Sequence, residues 1–233
     1  FINKSLTIAG ENPKTTIVDG TANGTIFNLE GSNIYISGFT LRNAGNYCAI
    51  ISEREIVTSD YHLISNNIIT TSAHGVYLSS SDHNTIFNNT LIDNAFGNIY
   101  LMNADNTNIT ANTIVEGAYG IKTALSLNNI IIGNTISQTS YAIYLSSSST
   151  GNTIRNNVLS GTTAGVYSNS DSTTVDHNTI TEGAYGTYLY NCESGSVCYN
   201  TFKNNSYGIR LYCSSATTSS HTVSNNRIQY TDW

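Results

Sequence analysis

The sequence predicts an all-β solenoid: a parallel β-helix of about ten coils of roughly 22 residues each. Three observations predict it. An asparagine recurs at near-constant spacing, a small residue recurs ahead of an alternating triplet in the same rhythm, and no stretch carries the 3.6-residue period of a helix.

The asparagine signal is an aliphatic residue, then Asn three positions later, then an apolar residue two further on. It runs through Ile64–Asn67–Ile69, Ile86–Asn89–Leu91, Ile109–Asn112–Ile114, Ile131–Asn134–Ile136 and Ile154–Asn157–Leu159. It continues through Val175–Asn178–Ile180, Val197–Asn200–Phe202 and Val223–Asn226–Ile228. The asparagines lie 21 to 23 residues apart, with one interval of 26. Ile36–Phe39–Leu41 and Ile8 fit as earlier coils without the Asn. In stacked parallel coils, equivalent residues sit about 4.8 Å apart. A buried Asn has two donors and two acceptors to satisfy, so Asn67, Asn89, Asn112, Asn134, Asn157, Asn178, Asn200 and Asn226 are expected to bond to one another as an asparagine ladder.

The second signal places a small residue before an in–out–in triplet, as in Gly75-Val76-Tyr77-Leu78, Ala142-Ile143-Tyr144-Leu145 and Gly208-Ile209-Arg210-Leu211. The small residue suits a tight bend. A propeller blade needs roughly 40 residues, and a leucine-rich repeat needs a Leu consensus that is missing here. The whole chain reads as one domain, residues 1–233, opening in the middle of a coil and showing no capping helix.

Composition narrows the function classes. Charged residues are 10% of the chain, against roughly 25% in an average domain, and the net charge is −6. With no basic stripe, nucleic acid is not an expected partner. No run approaches the roughly 20 apolar residues of a membrane span. Sixteen tyrosines and one proline argue for a folded chain rather than a disordered one.

"NKSLTIAGENPKTTIVDG" (Asn3–Gly20), "NIYISGFTLRN" (Asn33–Asn43) and the serial "NTI" and "YGI" repeats resemble the NosD-like group of carbohydrate-binding and sugar-hydrolase β-helix repeats. The resemblance implies a right-handed parallel β-helix and a setting like that of cell-surface proteins of methanogenic archaea. Members of that group usually carry an extra strand and turn before the point where Phe1 stands, so a fragment or a mature piece lacking an N-terminal cap is expected.

Several residues carry candidate chemistry. "NTIVEGAYG" and "NTITEGAYG" repeat Glu116 and Glu182 three coils apart, about 14 Å, too far for a glycosidase acid/base pair. Asp93 and Glu116 fall on adjacent coils about 5 Å apart, which suits a retaining catalytic pair or a shared cation. Asp82 and Asp105 form a second acidic column, where calcium is the expected ion if backbone carbonyls join, and Asp171 with Glu193 repeats it. Otherwise no cofactor is expected. Arg155 falls beside Asp176 on the next coil as a surface ion pair. The NosD resemblance suggests copper. The single Met102 and the scattered His62, His74, His83, His177 and His221 make a thin donor set, in which His62 and His83 are expected to approach one another.

Of the four cysteines, Cys192 and Cys213 are one position out of register on adjacent coils and could form a disulfide, with Cys192–Cys198 as the local alternative and Cys48 as buried packing. Tyr77, Tyr100, Tyr144, Tyr167 and Tyr188 point outward from one strand face, interrupted by Lys122 and Arg210. Tyr119, Tyr141, Tyr185 and Tyr207 form a neighbouring row. Such rings support one another, present a platform for sugar rings or a neighbouring protein, or do both. Sequons at Asn3, Asn23, Asn88, Asn108 and Asn204 fit an external location.

These readings favour a non-enzymatic solenoid, extracellular, on the cell surface or in the periplasm. Its role is structural, in assembly or adhesion, through self-association or a neighbouring envelope protein, with glycan bound on the tyrosine face. The alternative is a polysaccharide-active lyase, glycoside hydrolase or epimerase working at Asp93 and Glu116. A copper-handling accessory protein is the third reading.

Overall fold

The computed structural model describes residues 1–53, 59–214 and 220–230. These form 27 strands and no helix. Strands pair in parallel with the equivalent strand one coil on, as in Ile109↔Ile131 and Ile114↔Ile136. Pairing of this kind repeats along the axis and builds a solenoid with three columns of strands, one on each face.

The first column holds ten strands, from Leu6–Ala9 to Thr222–Ser224, so nine coil-to-coil steps separate its ends. The second and third columns belong to one hydrogen-bonded sheet of 17 strands. They join because two strands, Thr40–Glu53 and Ile68–Ser79, run through the corner between them.

Strand length sets what the core contains. Strands of the first two columns are mostly three residues long, so alternation sends the middle side chain inward and its neighbours outward. The first column thus stacks Ile36, Ile64, Ile86, Ile109, Ile131, Ile154, Val175 and Val197, all at 0% exposure. The second column stacks Leu41 through Phe202 in the same way. Strands of the third column are longer and contribute two inward residues each, such as Ile99 with Leu101 and Ile143 with Leu145. Each buried aliphatic side chain contributes roughly 1.5–3 kcal/mol relative to exposure.

The corners are made by single left-handed residues. Between the first and second columns, Asn66, Asn88, Ala111, Gly133, Asn156, His177, Tyr199 and Asn225 have φ between 51° and 67°. The next residue at each corner is the recurring asparagine. Its Nδ2 donates to the following coil's Asn Oδ1 at 2.9–3.1 Å, from Asn67 through to Asn226. Its Oδ1 also accepts from the preceding coil's backbone, as in Asn112 N to Asn134 Oδ1 at 2.9 Å. Nδ2 completes the set by donating to a core carbonyl, as Asn134 does to Ile109 O at 2.9 Å. Phe39 N donates to Asn67 Oδ1 at 3.1 Å, so a coil without the Asn still joins the column through its backbone.

Candidate functional site

The third column carries the aromatic face. Its inward residues fix the register, and the intervening side chains are therefore outward and aligned: Tyr77↔Tyr100↔Lys122↔Tyr144↔Tyr167↔Tyr188↔Arg210. The parallel row brings Tyr119 opposite Tyr141 and Tyr185 opposite Tyr207. The rings pack on one another. Tyr144 and Tyr167 stack at 4.9 Å with a 7° interplanar angle, and Tyr77 and Tyr100 lie 5.2 Å apart. Tyr119 and Tyr141 stack at 5.6 Å, and Tyr190 and Tyr212 extend the face with a further stacked pair at 5.3 Å.

Two cations are set into this face. Lys122 Nζ lies 4.7 Å from the Tyr100 ring centroid and 4.9 Å from that of Tyr119. The Arg210 guanidinium lies 4.8 Å from the Tyr188 ring, and its Nη1 donates to the Tyr185 hydroxyl at 2.7 Å. Among the described residues neither cation forms an ion pair; the pairs present are Arg42–Asp19, Arg155–Asp176 and His177–Asp176. Burial raises the phenols of Tyr77, Tyr100, Tyr144 and Tyr188 above their ordinary value. Burial, with the adjacent tyrosines added, pushes Tyr167 up to about 12. The face therefore presents neutral hydroxyl donors and two positive charges.

His74 joins this face, a placement the sequence reading missed. Its ring lies 5.6 Å from both Tyr77 and Tyr100 and 5.9 Å from Phe96. Burial, and then the charge of Lys122, lowers its pKa. The signal was legible: His74 precedes Gly75 as Tyr119 precedes Gly120, so it occupies the second aromatic row.

The carboxylates fall elsewhere. Asp93 and Glu116 sit at the second corner on adjacent coils, left-handed at φ 53° and 63°, with exposed side chains. Thr71, Gln138, Gly161, Glu182 and Asn204 hold the same corner on other coils. Each acid donates its backbone N–H to the next coil, Asp93 to Val115 O at 3.0 Å and Glu116 to Ser137 O at 3.1 Å. The column is thus conformational first, and acidic only in part.

Asp82 and Asp105 stand at the third corner, where each spends one carboxylate oxygen on backbone. Asp82 Oδ1 accepts from Asp105 N at 2.8 Å, and Asp105 Oδ1 accepts from Leu127 N at 2.7 Å. Asp171 Oδ1 takes Glu193 N in the same way, at 2.7 Å. Among the described residues no group of three or more His, Cys, Asp or Glu is placed to hold a metal. Arg155 Nε meets Asp176 Oδ2 at 3.2 Å, as the spacing suggested.

Two expected contacts are corrected. His62 does not approach His83. It is an inward residue, 1% exposed, whose Nδ1 accepts from Ile34 N at 3.3 Å, while Nε2 meets Ser59 Oγ at 3.0 Å. His83 instead stacks on Tyr61 at 4.9 Å. Leu63 pairs with Thr85, so His62 faces Asn84, one position past His83. Cys192 and Cys213 are likewise not brought opposite one another. Tyr190 pairs with Tyr212, which puts Cys192 opposite Ser214; Cys192 turns into the core and Cys213 lies at the surface. Burial raises the Cys192 thiol to about 11 and the Cys48 thiol to about 12.

The comparisons with known proteins agree on architecture. No curated protein sequence matches this one. Among solved structures, the A-module of a mannuronan C-5 epimerase from Azotobacter vinelandii superposes with a TM-score of 0.68 at 13% identity, covering 99% of this chain and 82% of that one. An alginate lyase from Paenibacillus sp. gives 0.63 at 13% identity, covering 98% and 89%. The DFA-IIIase from Arthrobacter chlorophenolicus gives 0.61 at 16% identity over 85% of this chain, which spans only 57% of that enzyme. At such identities the likeness extends to fold. The sequence profile of the right-handed beta helix region matches residues 56–191 and 160–232, and with that match over most of its length the chain belongs to the right-handed β-helix family.

Proposed function

We propose that this protein is a glycan-binding β-solenoid of the cell exterior, and that its ligand is an acidic polysaccharide lying along the tyrosine face. The observation that carries the reading is the pair of cations, Lys122 and Arg210, set into a field of mutually packed tyrosines with no carboxylate partner among the described residues. Aromatic rings offer flat apolar area to sugar rings, and their hydroxyls remain donors because ionisation is suppressed. The two cations are four coil steps apart, about 19 Å, so they suit a polymer extended along the axis rather than one small anion. Ring-on-ring packing holds the side chains in place before the ligand arrives, which lowers the ordering cost of binding. An external setting accords with the low charge and the sequons, and a structural or adhesive role follows if the bound glycan belongs to an envelope.

The experiment is calorimetry with a soluble polyuronate. Lys122→Ala and Arg210→Ala should each weaken binding about tenfold, and Tyr144→Ala by a similar factor. Parent-like affinity in all three variants, or no polyuronate binding by the parent, would overturn the reading.

A second reading is favoured by the neighbours, whose names are those of an epimerase, a lyase and a DFA-IIIase. Asp93 and Glu116 would then supply acid and base from adjacent corners. Asp93→Asn and Glu116→Gln should abolish turnover of acidic polysaccharide, and equal rates would remove both residues from consideration.

A further inference from the structure

The seventh coil lacks two side chains that its neighbours carry. At the second corner it has Gly161, where the flanking coils have Gln138 and Glu182. In the second aromatic row it has Ala164, paired on one side with Tyr141 and on the other with Tyr185. A Cβ built at Gly161 meets nothing closer than 3.9 Å, so the corner is open. The omission at Gly161 opens a shallow groove of about 630 Å³, lined by Gln138, Ser140, Gly161, Thr162, Thr163 and Glu182 among others, while Ala164 itself is covered, 1% exposed. The groove's walls, one coil to either side, stand about 10 Å apart. The next residues along those walls are Tyr141 and Tyr185.

The floor carries unspent hydrogen-bonding capacity. Thr139 and Thr162 both line the groove, are 3% and 6% exposed, and their Oγ1 atoms have no hydrogen-bond partner. On other coils the same inner position is served differently: Asn94 Nδ2 donates to Ile69 O at 3.1 Å, and Asn205 Nδ2 to Ile180 O at 2.8 Å. Buried hydroxyls without partners are uncommon and costly, and a ligand hydroxyl met by rotation of the threonine side chain would relieve them. At the rim, Glu182 forms no ion pair among the described residues. A carboxylate accepts sugar hydroxyls well but repels a uronate.

We infer that this groove is a second carbohydrate subsite, selective for a neutral sugar residue, on the edge of the aromatic face. The ring enters where Gly161 withholds a side chain. Its hydroxyls are taken by Glu182, Gln138 and the threonine floor. The subsite stands on its own observations and does not require the face to bind acidic glycan. If both bind, their charge preferences are opposite, and the chain suits a heteropolysaccharide with acidic and neutral residues.

The test uses cellotetraose and mannotetraose as neutral probes and a tetra-uronate as the acidic one, with saturation-transfer NMR and calorimetry on the whole chain. Gly161→Asn fills the corner with the residue that Asn204 already places there in the same left-handed conformation. Ala164→Tyr restores the missing ring, and Glu182→Gln removes the charge. A neutral tetrasaccharide should bind the parent and lose about tenfold in affinity in Gly161→Asn and in Ala164→Tyr. Glu182→Gln should narrow the preference for the neutral over the acidic probe. Circular dichroism checks the fold of Ala164→Tyr, and Gly161→Asn carries the test if that variant is unstable. No binding of either neutral probe to the parent, or undiminished binding in Gly161→Asn, would overturn the subsite. Loss of tetra-uronate binding alone would count against the tyrosine-face reading and leave the subsite standing.

Discussion

At the scale of single residues, the corner asparagines and the buried histidine show how this chain disposes of polar groups. Asn134 illustrates the first: its amide serves Ile109 O, Asn157 Oδ1 and Asn112 N in one position. Asn134→Ala strands several buried groups at once, and should cost about 3 kcal/mol by urea denaturation, more than a surface Asn such as Asn88. An unchanged midpoint would mean that the neighbouring coils close over the gap. His62 illustrates the second. It is held neutral in the core, where burial lowers its pKa to about 4. The unfolded chain binds its proton near pH 6.5, so between those values only the unfolded state is protonated. Stability is therefore complete above pH 6.5 and falls by roughly 3 kcal/mol as the pH drops to 4. His62→Asn, which installs the residue of the aligned Asn84, should flatten that slope in a pH series of denaturation curves. The sequence revealed the asparagines through spacing. It hid the histidine, because one position in register separates the core from the surface and His is at home in both.

At the scale of the element, the third column shows alternation put to use. Inward Ile and Leu fix each strand, and the outward side chains fall into line every coil whether or not a ligand is present. The tyrosines were legible for that reason. Their packing on one another was not, since ring tilt depends on neighbours: Tyr144 lies flat on Tyr167, while Tyr188 meets Tyr167 edge-on at 85°. A spectrophotometric titration should show a phenol that ionises only at about pH 12, and Tyr167→Phe should remove that late component. A single transition at the ordinary tyrosine value would contradict the burial of this row. Thiol chemistry reads burial elsewhere on the solenoid. Cys48 and Cys192 should resist alkylation until the chain unfolds, whereas Cys198, lowered by hydrogen bonds from Ser196 and Ser224, should react in the native state.

At the scale of the whole molecule, each coil touches only its neighbours, so stability is a sum along one axis. A defect should act locally. A Cβ at Gly186 would collide with the Gly208 carbonyl and the Phe202 ring, both from the following coil. Gly186→Ala should destabilise by about 1–3 kcal/mol. Amide exchange should accelerate first in the strands Tyr185–Tyr190 and Tyr207–Tyr212 and least near the first coils. Uniform acceleration along the chain would instead indicate a single cooperative unit.

The sequence by itself determined the all-β solenoid, its period, the asparagine column and the outward alignment of the tyrosines. Each follows from a periodicity, and a parallel stack converts periodicity directly into neighbourhood. Only the tertiary structure decided what depends on the exit angle of one side chain. Cys192 and Cys213 are close in sequence register but turn to opposite sides of the wall. Asp93 and Glu116 proved to be left-handed corner residues, and Asp105 proved to cap the next coil's backbone. The groove at Gly161 arises from a side chain the seventh coil omits, and an omission becomes a groove only when the coils on either side are in place.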